Sequence, residues 1–516
     1  MSKDKFLRGA MILTMAGLMV KVIGSVNRIL LSRLLGGEGI GLYQMAYPVY
    51  LLLLAVASAG VPVSISIIVA EYLAKGDRAG VRRVFSVSLR MMAVVGLVLA
   101  ASLFAAAGWM VDSGIIRDGR AYYALVALTP AVFFASILAS FRGFFQGHQL
   151  MTPPAMSQII EQFVRVVTMV ALAYALLPRG LEYAAAGAAF GAVPGSVTGL
   201  IVLSFFYRRY RRMWQYDSVP ESDISSMALV KRLALLALPV SCANILVPVT
   251  SSIDMLLVPK CLIESGFSVE EATTLFGYLA GMAQPLIMMA TIPTVSLTAS
   301  LVPAVSEAFT LGRGGEIERK AATAMKLCCL ITVPAAVGMS ALAGEISGLL
   351  YGTVKAAPAI MHSGPAICFL GMQQVTTGVL QGMGKINLPM LHIVIGLVCK
   401  TIAVLLLTDA AFNIAGAAWA TNINFGVAAL LNILVLRYYK ISFHWYNIFK
   451  ILLAALIMGG AAIEGHRLLS SCCGPSAAAA GAICLAAGVY ALLLPVLGVV
   501  SKDELRQMPL LKKFLR

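Results

Sequence analysis

Long apolar runs alternate with short charged or Gly/Pro-rich joints along the whole chain. Most runs reach the roughly twenty residues that a helix needs to cross the hydrocarbon of a bilayer. They predict spans at 8–34, 40–74, 84–111, 121–146, 155–177, 183–207, 231–258, 273–310, 321–350, 356–382, 388–409, 412–436, 448–465 and 475–500. Lipid offers no partner to an open backbone group, so each run is expected to be helical. The pattern predicts an all-α polytopic membrane protein of about 14 transmembrane helices. The first run begins behind Lys3 and Lys5 and shows no small-residue cleavage site, so it reads as a span and not as a secretory signal. Spans 40–74 and 273–310 are overlong and hold Pro48 and Pro62, and Pro285, Pro293 and Pro303. Bends or breaks are expected there, because proline removes a helical hydrogen bond.

The pattern repeats. Gly143-Phe144-Phe145-Gln146-Gly147 precedes Pro154 and Arg165, and 235 residues later Gly378-Val379-Leu380-Gln381-Gly382 precedes Pro389 and Lys400. Val69-Ala70-Glu71 before Gly76 and Arg83 returns as Val305-Ser306-Glu307 before Gly312 and Arg319 at an offset of 236. Gly187-Ala188-Ala189-Phe190 is answered by Gly416-Ala417-Ala418-Trp419. An even number of spans per copy gives both copies one orientation, so two parallel six-helix repeats are expected. The division is an N-lobe at 1–207, a basic linker at 208–230, a C-lobe at 231–437, and two further helices with a tail at 438–516.

Composition agrees with lipid as the solvent: 60% of the 516 residues are hydrophobic and 12% charged, against about 25% charged in soluble domains. The net charge of +16 would suggest nucleic acid if its placement did not follow the spans. Of 39 Lys and Arg, 27 fall on the face that holds both termini, seven on the other face and five within spans. That bias predicts cytoplasmic termini. The cluster Arg208-Arg209-Tyr210-Arg211-Arg212 then sits near anionic lipid, with no nucleic-acid role. The nine cysteines lack metal-ligand spacing and read as packing residues, so neither a metal nor a cofactor is expected.

Ser32-Arg33-Leu34-Leu35-Gly36-Gly37-Glu38-Gly39, Gly60-Val61-Pro62-Val63-Ser64 with Ala70-Glu71-Tyr72, and the Gly143–Gly147 block together carry a resemblance. With two six-helix lobes, a basic linker and two extra helices, the chain resembles the polysaccharide transporter branch of the multidrug/oligosaccharidyl-lipid/polysaccharide exporter superfamily. It is most similar to the stage V sporulation protein B group, relatives of the lipid II flippases. The resemblance implies a monomeric flippase in the cell membrane that moves an undecaprenyl-pyrophosphate-linked sugar, a peptidoglycan precursor for instance one for spore cortex, by alternating access. Cell-wall synthesis proteins would be its partners. Such a substrate calls for a cationic chamber for the head group, with the polyprenyl tail left in lipid.

Charges inside the spans are the candidate chemistry, since each costs roughly 2.5–3.5 kcal/mol to insert. Lys21 and Arg28 lie two turns apart on one face of the first span and suit a diphosphate; snorkelling to an interface is the plainer reading. The lipid II flippases carry a basic residue at the Lys21 place and then a basic residue followed by an acid, where this chain has Asn27-Arg28. Family basic residues near the second and eighth spans match Ala46 and Gly281 here. Glu161 and Arg165, four apart, can pair along one face, or the substrate phosphate or a proton can compete for one of them; Gln162 offers hydrogen bonds to sugar. Asp254 matches an acid that contributes to a sodium site in some lipid II flippases. Lys400 is expected to replace the ion and pair with it. Glu71 and Glu307 end long helices beside basic loops, as cytoplasmic gate residues or simply as solvated helix ends. A cation-coupled multidrug exporter explains twelve helices but neither the extra two nor the cationic first span. A membrane glycosyltransferase would need larger loops, so no enzyme is expected; a morphogenetic scaffold without transport is the third alternative.

Overall fold

The structure, a computed structural model, describes residues 3–58, 60–213 and 225–499. Most of the predicted linker and the tail from 500 onward lie outside the described residues. The regular elements among the described residues are all helical. In chain order they are α1 (Lys3–Ser58), α2 (Val61–Ala74), α3 (Arg78–Asp112), α4 (Tyr122–Gly147), α5 (Thr152–Leu176), α6 (Leu181–Phe190), α7 (Ala192–Met213), α8 (Ser226–Glu264), α9 (Val269–Phe276), α10 (Gln284–Ala290) and α11 (Ile292–Thr310). There follow α12 (Gly314–Ala341), α13 (Ala343–Tyr351), α14 (Ala357–Ser363), α15 (Pro365–Gly382), α16 (Asn387–Leu407), α17 (Asn413–Tyr438), α18 (Trp445–Ser470) and α19 (Pro475–Val496).

Among the described residues, twelve helical stretches are long and apolar enough to cross a membrane. The first, Met11–Ala74, contains the first two predicted spans. The tenth predicted span is α14 with α15, whose Gln373, Gln374 and Gln381 make it too polar to count among the twelve. The fourteen-span pattern thus has a helical counterpart at every position. The overlong spans break where expected, though not at every proline. Gly60 separates α1 from α2, with Pro62 in the first turn of α2, and the Gly60 N–H donates to the Ser241 hydroxyl at 3.1 Å. Span eight divides into α9, a wide helical turn over Gly277–Ala283, α10 and α11, with Pro285 and Pro293 in the first turns of the last two. Pro48 and Pro303 break no helix, whereas α1 is kinked at Gly36, whose φ of 68° and ψ of −171° are not helical.

The chain forms two compact units, Met1–Gly277 and Tyr278–Arg516. The seventh span, α8, packs on α1, α2 and α3 and belongs to the first unit, although the repeat groups it with the C-lobe. In the first unit α1 packs against α4, α5 and α6 as well. One glycine stripe fixes the geometry around α5. Gly187, Gly191, Gly195 and Gly199 recur every fourth residue through α6 and α7 and face Leu172, Met169, Arg165 and Glu161 in turn. A Cβ on Gly191 would stand 2.3 Å from Met169 Cγ, and one on Gly195 3.0 Å from Arg165 Cβ. Small residues at this spacing let helices approach closely where no hydrophobic effect drives them together. The stripe therefore sets where Glu161 and Arg165 stand. In the second unit α12 packs on α15 and α18, α16 on α17, and α18 on α19, so the two helices outside the repeat are part of that unit.

Candidate functional site

Three elements of the first unit bring charge together. Glu161 on α5 accepts from Arg142 of α4 at 2.5 Å and from Arg165, one turn further along α5, at 3.2 Å. The three side chains are 13%, 22% and 15% exposed, so water screens them little and the pairs are strong. From α1 come Tyr43, Tyr47 and Tyr50, whose rings follow one another at 5.2 and 5.8 Å. The Tyr50 hydroxyl lies beside the Arg165 guanidinium. Arg28, also on α1, sits 5.5 Å from the centre of the Tyr47 ring, a cation–π distance. Three guanidiniums against one carboxylate leave two positive charges along this face. Planar guanidinium forks suit phosphate oxygens in pairs, and phenol hydroxyls can donate beside them.

Sequence spacing finds part of this cluster. The Glu161–Arg165 pair forms as its four-residue spacing predicts, and Arg28 joins it through the tyrosines. Gln162 meets α1 at Gly24, where an added Cβ would stand 3.3 Å from its amide nitrogen. Lys21 is exposed on α1 and has no ion-pair partner among the described residues. Arg142 was missed, because a cation near a helix end reads as a topology signal. The tyrosines at 43, 47 and 50 carried the available signal, a three-to-four-residue aromatic spacing on a span otherwise rich in Leu and Ala.

The remaining candidates lie on other helices. Asp254 is buried on α8 of the first unit, and Lys400 is buried on α16 of the second. Glu71, in the last turn of α2, accepts from Lys75 at 2.9 Å and from Arg232 of α8, tying those two helices together. Glu307 is exposed on α11. A second charged cluster lies at the opposite end of the first unit. Arg120 donates to Glu38 at 2.6 Å and to Asp118 at 2.8 Å, and Asp118 accepts from the Thr273 hydroxyl of α9 at 2.9 Å. Burial pushes the Asp118 carboxyl up, but the bonds from Arg120 and Thr273 outweigh it and hold the group below the usual carboxylate range. The second unit carries a buried polar line instead. His392 of α16 meets Asn432 of α17 at 2.7 Å, and Asn432 donates to Thr376 and Thr377 of α15, each at 3.1 Å. Among the described residues no group of three or more His, Cys, Asp and Glu is arranged to hold a metal.

A helical membrane bundle with a cationic cluster on its first half is the architecture of a lipid-embedded carrier. The chain belongs to the family described as "Polysaccharide biosynthesis protein", whose profile matches residues 6–309, and within it to the stage V sporulation protein B group related to the lipid II flippases. Stage V sporulation protein B of Bacillus subtilis (strain 168) is 30% identical over 517 residues, covering 100% of both chains. "Lipid II flippase MurJ" of the same organism is 28% identical over 418 residues, covering 77% of this chain and 76% of that protein. Among solved structures, "Lipid II flippase MurJ, inward closed conformation" superimposes with a TM-score of 0.70 at 13% identity, covering 98% of this chain and 100% of that one. An inward-facing multidrug resistance MATE family transporter of the MOP superfamily gives 0.66 at 17% identity, covering 81% and 94%. At those identities the two structures speak to the fold alone.

Proposed function

We propose that this chain is a flippase that carries an undecaprenyl-pyrophosphate-linked sugar, a peptidoglycan precursor, across the cell membrane by alternating access, without catalysing a reaction. The observation that supports it most is the Arg142–Glu161–Arg165 cluster. Glu161 keeps two cations desolvated and in place until a stronger anion arrives. A pyrophosphate carries more charge and more acceptor oxygens than one carboxylate and competes for the same forks. Arg28 extends the cationic face toward the first span, Lys21 offers an exposed ammonium to the arriving anion, and Gln162 can donate to the sugar. The names of the relatives, a lipid II flippase and a sporulation protein, support the substrate class and a role in spore envelope assembly.

Several further assignments belong to this reading. Both termini face the cytoplasm, following the Lys and Arg bias. Asp254 and Lys400 form the charge pair that replaces a bound sodium ion, and Glu71 and Glu307 close the cytoplasmic side, Glu71 through its bond to Arg232. The chain works as a monomer beside cell-wall synthesis proteins. A cationic drug would meet net positive charge at the cluster, which favours an anionic substrate over the multidrug reading.

The test is flipping of candidate undecaprenyl-pyrophosphate sugars in proteoliposomes of the purified protein. Arg165→Ala and Arg28→Ala are expected to lower the initial rate at least tenfold, about 1.4 kcal/mol of lost binding, and Lys21→Ala to lower it less. Full transport in all three variants would overturn the phosphate site, and no transport of any candidate by the wild-type protein would favour a scaffold. Sodium dependence should appear in Lys400→Ala; its loss in that variant would overturn the charge-pair assignment.

A further inference from the structure

We propose that the second unit holds a binding site for one anionic phospholipid, with the phosphodiester in a basic pocket and an acyl chain in the apolar groove that continues from it. The pocket measures about 170 Å³ and is lined by Arg319, Thr323 and Lys326 of α12 and by His444 and Asn447 at the start of α18. Buried Met325 and Phe443 also line it. The groove measures about 650 Å³ and runs between α12, α15 and α18 over an almost wholly apolar surface. Ile448 lines both. From Ile448 to Ile463, the two ends of its wall on α18, the groove is about 22 Å long at 1.5 Å per residue. That exceeds the ~15 Å half-thickness of the bilayer hydrocarbon, so a full acyl chain fits.

Three features point to a lipid phosphate. First, the charge is complementary. Arg319 and Lys326 give the lining its cationic side chains, and the neighbouring acid, Glu318, is outside the lining and accepts from the Ser442 hydroxyl and from the Ser442 N–H at 3.3 Å. Second, α18 begins beside the pocket, and its N-cap, His444, makes no side-chain cap; the positive end of the helix dipole favours an anion there. Third, Trp445 and Tyr446 are exposed next to the pocket, with the Lys450 ammonium 4.6 Å from the Tyr446 ring centre. Aromatic and basic residues together mark head-group depth. The pocket lies on the Lys/Arg-rich face, where basic pockets between helices meet anionic lipid. The pocket is lined by residues of the second unit and shares none with the cationic cluster of the first.

The groove also has a built opening. A Cβ on Gly459 would stand 2.7 Å from Val337 Cγ1, so that glycine lets α18 close on α12. A Cβ on Gly460 would meet nothing within 4 Å, so a leucine there would fill the groove without displacing protein.

The experiment is native mass spectrometry of the full chain, delipidated in a neutral detergent and titrated with phosphatidylglycerol. Wild type should retain one phosphatidylglycerol. Arg319→Ala with Lys326→Ala should weaken retention roughly tenfold, Gly460→Leu should weaken it at unchanged elution volume, and Arg313→Ala, an exposed cation of the same face, should not change it. Phosphatidylcholine and inorganic phosphate should not be retained. Equal retention by the double variant and by Gly460→Leu would overturn the site. Equal loss in Arg313→Ala would show diffuse charge attraction in its place. Binding of inorganic phosphate alone would make it a free-anion site, and full displacement by equimolar undecaprenyl phosphate would assign it to the transport substrate. Either result overturns the proposal.

Discussion

Glu161 serves two guanidiniums with one carboxylate, so the residues around it stand or fall together. Removing the acid leaves Arg142 and Arg165 facing each other in a partly dry site, which costs roughly 3 kcal/mol by analogy with broken buried pairs. Glu161→Ala should therefore unfold at lower temperature than wild type in a detergent melt, and Glu161→Ala with Arg165→Ala should recover part of the loss. Recovery is the informative result, because it separates charge repulsion from lost packing. A second residue gives a pH dependence. His148 follows α4 and is half-buried; burial, only partly offset by its bond to the Phe144 carbonyl, holds its imidazole down at about 4. Between about 4 and the ordinary value near 6.5, the unfolded chain binds the proton and the folded one does not. Stability contributed by neutral His148 is thus complete above that window and falls as pH drops through it. His148→Phe should flatten the melting temperature between pH 7 and 4.5, while wild type declines. Spacing made Glu161 with Arg165 legible from sequence, since one helix fixes their separation. Arg142 was not legible, because a separation of nineteen residues and two helix ends decide whether α4 faces α5.

At the scale of elements, the glycine stripe of α6 and α7 is the feature most sensitive to small changes. Gly191→Leu would place a Cβ against both the side chain and the backbone nitrogen of Met169, at 2.3 and 2.7 Å. Overpacking of this kind costs about 1–3 kcal/mol, and the melting temperature should fall accordingly. Because α5 would shift, Gly191→Leu should also lower flipping although it touches no charge, whereas Leu200→Ala on α7 should leave flipping near wild type. The outer cluster offers a comparable test. Asp118→Asn loosens the ties from Arg120 and from Thr273 of α9, and the melting temperature is expected to fall. The stability that Asp118 contributes is present above the ordinary carboxylate pKa and is lost as pH falls through its lowered value. The sequence marked every span and both broken helices, because apolar length and proline are local properties. It did not mark the stripe as structural, since glycine every fourth residue acquires meaning only once the facing helix is known.

For the molecule as a whole, the inside-positive bias predicts which loops face out. Cys472 and Cys473 are exposed in the joint between α18 and α19, on the side assigned to the exterior. A membrane-impermeant maleimide should label them in intact cells, and Cys472→Ser with Cys473→Ser should abolish that signal. A tag at the N-terminus should become accessible only after permeabilisation. Labelling with the opposite pattern would invert the topology. The duplicated half was readable at this scale because similar motifs recur at nearly the same offset. The extent of each compact unit was not, since the repeat groups α8 with one half and α8 packs with the other.

That mismatch relocates the flexible joint of the chain. The covalent passage from one compact unit to the next is the wide helical turn at Gly277–Ala283, within the eighth span, and not the basic stretch after α7. A backbone wound more loosely than an α-helix can unwind or rewind by a residue at modest cost, so a substitution that stiffens this turn should slow transport.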